Sequence, residues 1–317
     1  MSPQLKILAI GDVNGKFAAW IKRINSVNSK NGPFEMVLCV GDFFGSEESW
    51  TEENRQVWED LKSGKIKLPC PIYILGPKNE GQKAFFPDIE GCELATDLIY
   101  LGKIGVLTNS NGLKIAYVSP NIDFESVKSL EISCKCDYDD FQGVDILLSD
   151  DWPLGLSSGD DQVLKSDGVS LVSRLAIKLR PRYHFAGTRG VFFERTPYRN
   201  HRVMAQQAKH VTRFIGMADV GNKEKKKWIY AFNIVPMKQL SKLELVAQPS
   251  IATDIPYNES HMRSGEPKSS QFFYDMNAPM EDKRKRKGDR NDQRGGKRPP
   301  PQPTGPCWFC KFSFCMP

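Results

Sequence analysis

Short apolar runs alternate with polar, glycine-bearing turns through the first 180 residues. Residues 5–10, 36–40, 72–75, 114–118 and 144–148 are runs of mostly apolar positions, the pattern of strands covered on both faces. Between the first two, Phe17, Trp20, Ile21, Ile24 and Val27 recur at helical spacing. The stretch EESWTEENRQVWEDLKSG predicts a second helix ended by Gly64, and SLVSRLAIKL predicts a third that stops at Pro181. Strand, loop and helix in alternation imply an α/β fold with a central sheet. After Arg182 the pattern changes. YHFAGTRGVFFERTPY, HRVMAQQ, TRFIGMADVG and KKWIYAFNIV read as successive strands joined by turns, with GTRG the tightest turn. One domain is therefore expected over residues 1–246.

Beyond it the apolar content drops, apart from SQFFYDM at 270–276. Residues 247–280 read as a low-order segment and residues 281–304 as a disordered, basic, Pro- and Gly-rich linker. Residues 305–317 close the sequence with CWFCKFSFCMP. Charge sharpens this division. The formal net charge is +6, yet residues 283–298 hold nine Lys or Arg against two Asp, so the remainder sums to −1. The folded part is nearly neutral, and a single large basic face for nucleic acid is not expected of it. The run Lys283, Arg284, Lys285, Arg286 and Lys287 reads as a nuclear import signal or a contact for RNA phosphates. Aromatic residues are not interleaved there, so base stacking is not expected of the tail.

No apolar run approaches the ~20 residues of a membrane span, and the start lacks a secretory pattern. The expectation is an intracellular chain whose eight cysteines are mostly reduced. Among these, Cys307 and Cys310 have the spacing of half a zinc site, with Cys315 as a third donor and no fourth nearby.

The strand-end loops carry the candidate chemistry. GDVNGK, GDFFGS, LGPKNEG and LLSDDWP each follow an apolar run, and loops at the carboxyl ends of neighbouring strands converge on one crevice. Asp12, Asp42, Asn79 and Asp150 are thus candidates for a shared site. Carboxylate and amide oxygens suit one hard cation, Mg or Mn, centred on Asp12 and Asp42. Plainer readings stand beside this. Gly-Asp after a strand is common turn chemistry, and Asp150 could cap the turn into Trp152-Pro153. His184 reads as a core histidine, and His201 and His210 as surface strand residues.

The order of these loops resembles the calcineurin-like metallophosphoesterases, whose motifs are D-x-H, G-D, G-N-H-E, a lone His and a late G-H-x-H. That resemblance implies a two-metal centre that activates hydroxide against a phosphate ester. Asp12 and Asp42 match the first ligand and the bridging carboxylate. Asn14 stands where the first His would be, and GPKNEG keeps Asn79 and Glu80 but has no His between them. Asp150 takes the place of the lone His, and Gly187 and Arg189 take those of the terminal pair. An amide or guanidinium cannot replace imidazole on Zn, Fe or Mn, so the pair of ions is not expected.

A narrower resemblance rests on VLCVGDFFG, YILGPKNE, GCELA, DLIYLG, GVDILLSDDWP, RPRYHFAG, ERTPYRNH, VTRFIGMADVGN, KKWIYAFNIVPM and GPCWFC. Together these segments resemble the CwfJ family, the Cwf-nineteen-like proteins. The resemblance implies a metallophosphoesterase-like β-sandwich flanked by helices, followed by a CwfJ carboxyl-terminal region of which residues 305–317 are only the start. It further implies a nuclear, non-catalytic, spliceosome-associated factor in pre-mRNA splicing and intron-lariat turnover. The partners implied are the lariat debranching enzyme and late spliceosome proteins, with RNA as a further contact. Two other functions fit the residues: a weakly active Mg- or Mn-dependent phosphodiesterase or ribonuclease, and an RNA tether working through the tail.

Overall fold

Strand β1 (Leu5–Ile10) is buried at five of its six positions because layers cover it on both sides. The computed structural model describes residues 4–156, 168–201, 203–204 and 206–257. In it, β1 pairs in parallel with β2 (Met36–Cys39), which pairs in parallel with β3 (Ile72–Ile74). That sheet continues through β5 (Leu98–Tyr100) to the antiparallel β4 (Cys92–Ala95), and β13 (Ile229–Ile234) closes its other edge antiparallel to β1. A second sheet has the order β10 (Phe193–Glu194), β12 (Val211–Gly216), β9 (Tyr183–Ala186), β8 (Ile146–Ser149), β7 (Lys114–Val118), β6 (Ile104–Thr108). Strand β11 (Tyr198–Arg199) also pairs with β12.

Alternate residues of each strand point to different layers. Ile7, Ala9, Met36 and Leu38 of the first sheet meet Ile115, Ile146, Phe185 and Ile215 of the second, forming the apolar filling of a sandwich. Leu8, Ile10, Val37 and Cys39 face outward onto α1 (Phe17–Asn31) and α2 (Glu52–Lys62). Ala116, Val118, Leu147 and Phe214 face outward onto α3 (Phe124–Ser133) and α4 (Ser170–Leu179). The result is a helix–sheet–sheet–helix sandwich, with parallel strands β1, β2, β3, β8 and β9 delivering their following loops to one end.

All five apolar runs are strands, with β2 and β3 ending one residue early and β8 shifted towards residue 149. Strands β4–β6 and helix α3 are additional to the predicted elements: CELA and IGVLT are half-exposed, and LIY, though apolar and mostly buried, is only three residues long. HRVMAQQ is not a strand among its described residues. Val203 and Met204 are exposed there, and Lys209 N–H donates to His201 Nδ1 at 3.2 Å. His201 and His210 are buried, contrary to expectation. His210 Nε2 donates to Arg180 O at 2.7 Å, and burial lowers its pKa to about 4.

Chain packing also continues past residue 246. Arg199 N–H donates to Thr253 O, Thr253 N–H donates to Pro197 O, and Tyr257 packs edge-on against Tyr198. ERTPYRNH is inward-facing at Arg195, Tyr198 and Asn200, so only part of it is surface. The segment 270–276, Lys283 to Lys287, Cys307 and Cys310 lie outside the described residues. No helix among the described residues is long and apolar enough to cross a membrane.

One polar pair ties the second helical layer. Arg174 on α4 donates from Nε and its terminal nitrogen to both Glu131 oxygens on α3, at 2.6 and 2.9 Å, with both side chains buried. The guanidinium also lies 4.9 Å from the Phe124 ring centre. Glu131→Ala would break this buried bidentate pair, a loss of about 3–5 kcal/mol. We expect the urea midpoint to fall accordingly, and to fall less for the paired replacement Glu131→Met/Arg174→Met.

Candidate functional site

The crevice is built around one carboxylate. Asp12, one residue past Gly11 at the end of β1, is only 3% exposed. Its Oδ1 accepts the N–H of Asp42 at 2.8 Å, and its Oδ2 accepts the N–H of Thr188 at 2.7 Å. The first donor follows β2 in one sheet, and the second follows β9 in the other. Burial raises the Asp12 pKa to about 6, against the lowering effect of these two bonds.

Glycine at 41 and 187 lets the loops close on it. A Cβ on Gly41 would lie 2.3 Å from Asp12 Oδ1. A Cβ on Gly187 would lie 2.8 Å from Asp12 Oδ2 and 2.6 Å from Gly41 Cα. The space of a ligand imidazole at 187 is therefore filled by backbone.

Asp42 is engaged by a residue the sequence reading missed. Gln82 Nε2 donates to Asp42 Oδ1 and Oδ2 at 2.9 and 2.8 Å and to Gly45 O at 2.9 Å. The orientation of the amide is set by Lys78 N–H, which donates to Gln82 Oε1 at 2.7 Å. Asn79 is not the amide that reaches Asp42. It is exposed and caps the short 3-10 helix Glu80–Phe85, its Oδ1 accepting Gln82 N–H at 3.1 Å. That capping geometry was the available signal, since Asn followed three residues later by Gln places the second amide back towards the strand end.

The remaining positions divide similarly. Asn14 adopts φ 49° and donates its N–H to Asp42 O at 3.0 Å, so it serves the turn, which Asn tolerates. Arg189 places its guanidinium 4.8 Å from the Trp152 ring centre. The cation facing the carboxylates is Lys78, whose Nζ lies 3.9 Å from Asp150 Oδ2.

Asp150 is 2% exposed, and neither carboxylate oxygen has a hydrogen-bond partner among the described residues. It does not cap the turn into Trp152; Ser149 Oγ donates to Asp151 O there. Burial raises the Asp150 pKa to about 7, with Lys78 opposing and Asp151, Asp12 and Asp42 adding to the rise. His184 is buried and hydrogen-bonded to Ser149 Oγ at 2.8 Å, and burial lowers its pKa to about 3.

These residues do not fit a pair of metal ions. Imidazole donors are missing, the Gln82 NH2 points at both oxygens of the would-be bridging carboxylate, and an ammonium faces Asp150. Among the described residues no group of three or more His, Cys, Asp or Glu is placed to hold a metal. What the arrangement does is join loops from four strand ends through buried polar bonds.

Two measurements follow. As pH climbs from 4, the unfolded chain releases the Asp150 proton before the folded one does. Stability therefore falls between about pH 4 and pH 7. Asp150→Asn should be more stable than the parent at pH 8, on the order of 1–4 kcal/mol, and equal to it at pH 4 by urea titration. Gly187→Ala should cost at least about 1–3 kcal/mol, because its Cβ would meet backbone that cannot rotate away.

Comparison with known proteins follows the same lines. No protein-family model matches the chain. CWF19-like protein 1 of Xenopus laevis is 42% identical over 336 residues, covering 98% of this chain and 61% of that protein. CWF19-like protein 1 of Homo sapiens is 42% identical over 339 residues, with the same two shares. Zinc finger CCCH domain-containing protein 64 of Arabidopsis thaliana is 32% identical, covering 90% of this chain and 51% of that protein. This chain thus spans about three-fifths of the CWF19-like relatives.

Two solved structures are distant likenesses. A Thermus thermophilus protein, TT1561, has TM-score 0.43 at 12% identity, covering 73% of this chain and 99% of that one. Purple acid phosphatase PPD1 from yellow lupin has TM-score 0.39 at 12% identity, covering 74% and 48%. With 42% of its residues shared along 98% of its length, the chain belongs to the CWF19-like family.

Proposed function

We propose that this chain is a non-catalytic nuclear factor in pre-mRNA splicing and intron-lariat turnover. In this reading it binds the RNA lariat debranching enzyme and assists it, alongside late spliceosome or intron-lariat proteins. The observation that carries the reading is the Gln82 amide seated on both oxygens of Asp42 in an otherwise intact sandwich. A fold kept without its chemistry is suited to presenting a surface. The splicing context is supported by the names of the relatives and by the motif resemblance, and nuclear residence by the run Lys283 to Lys287.

A second reading has one specific observation in its favour. The two oxygens of Asp150, which accept no hydrogen bond among the described residues and lie beside Asp12 and Asp42, would suit a weak Mg- or Mn-dependent phosphodiesterase or ribonuclease.

Purified protein titrated into the debranching enzyme with a branched RNA separates the two. We expect saturable co-purification and faster branch cleavage, both retained by Asp42→Asn. Absence of both effects would overturn the first reading. Metal-dependent cleavage by this protein alone, lost in Asp42→Ala, would establish the second in its place.

A further inference from the structure

The loop joining β12 to β13 carries Lys223, Lys225, Lys226 and Lys227, and the reading above uses none of them. It differs from an ordinary solvated charge run in two respects. First, it is held in one shape. Asn222 Nδ2 donates to Asp219 O at 2.8 Å and to Lys226 O at 2.9 Å, and Lys226 N–H donates back to Asn222 Oδ1 at 2.8 Å. Second, it abuts half-exposed aromatic rings. Lys227 Nζ lies 4.9 Å from the Phe192 ring centre and 4.2 Å from that of Tyr230.

These rings sit on the open flank of the sandwich, where β13 ends one sheet and β10 ends the other. Three acids temper the charge, and Asp219 lies in the same loop. Glu224 pairs with Lys226 at 2.5 Å, and Glu194 accepts from the Tyr230 hydroxyl at 3.4 Å. Lys223, Lys225 and Lys227 remain as exposed cations on a fixed loop.

We propose that this loop and the Phe192–Tyr230 platform form a binding site for single-stranded RNA. The phosphates would lie on Lys223, Lys225 and Lys227, and a base would lie on the aromatic pair. One cation against aromatic rings, with further lysines on the same loop, is the combination such strands need, because unstacked bases offer a face and the backbone offers charge. An acidic peptide would satisfy the lysines and leave the rings unused. A duplex keeps its bases stacked away from them. The site lies wholly within the described globular residues.

The test uses the full chain with Lys283, Arg284, Lys285, Arg286 and Lys287 replaced by Ala, so that the tail contributes nothing. Fluorescein-labelled oligouridylate is followed by anisotropy across 50–200 mM salt. We expect binding that K223A/K225A/K227A weakens at least 10-fold, with the log–log salt slope reduced by about 2. Phe192→Leu and Tyr230→Leu should each weaken it about 5- to 100-fold while leaving the slope unchanged, as loss of stacking requires. Urea midpoints of the variants identify any that has simply unfolded, and the other aromatic variant then decides. No binding by the tail-neutralised chain would overturn the proposal. So would equal binding of a matched duplex or of polyglutamate, or no loss of affinity in a folded aromatic variant. The debranching enzyme is absent throughout, so failure here leaves the previous reading intact.

Discussion

A single buried carboxylate holds the two sheets together where the functional end of the sandwich lies. Asp12 takes one backbone N–H from the loop after β2 and another from the loop after β9, so each oxygen belongs to a different sheet. Hydrogen bonds to a charged acceptor contribute more than neutral ones, and here they offset part of the penalty for hiding the charge. The neighbouring glycines follow from that geometry, because the donors reach Asp12 only if nothing projects from positions 41 and 187.

Around this anchor, the buried carboxylates are met by positive and polar groups of the chain itself. Lys78 and Asp150 show how that balance falls. Unit charges about 4 Å apart attract by about 4 kcal/mol at an effective dielectric near 20. Removing a carboxylate from water costs several kcal/mol, and here three further acids lie nearby. Burial prevails, and the Asp150 pKa stays near 7 despite the ammonium. Gln82 solves the equivalent problem at Asp42 without a charge, by directing both amide hydrogens at the acceptors within reach.

Much of the scaffold was legible because layers on both sides make strands uniformly apolar. Leu5–Ile10 and the residues around Leu147 stand out for that reason, as do the amphipathic turns of α1. Edge strands such as β6 are half wet, lose that contrast and pass for loops. In the crevice, Asp12 and Asp42 could be found because they follow strands directly. Gln82 and Lys78 leave a weaker trace, since the Asn-to-Gln spacing marks a capped turn but their reach depends on how that 3-10 turn folds back. His210 misled for a related reason. Its lone imidazole beside Lys209 reads as surface until a carbonyl from another element, Arg180 O, is brought to meet it.

The close approach at Gly187 limits what that corner can become. Any side chain there collides with the Gly41 backbone before its functional atoms matter. Histidine at 187 would thus disturb the scaffold before it could serve as a ligand. Building a metal site into this corner would require the loops to separate first, so sterics close off stepwise redesign there before donor chemistry is tested.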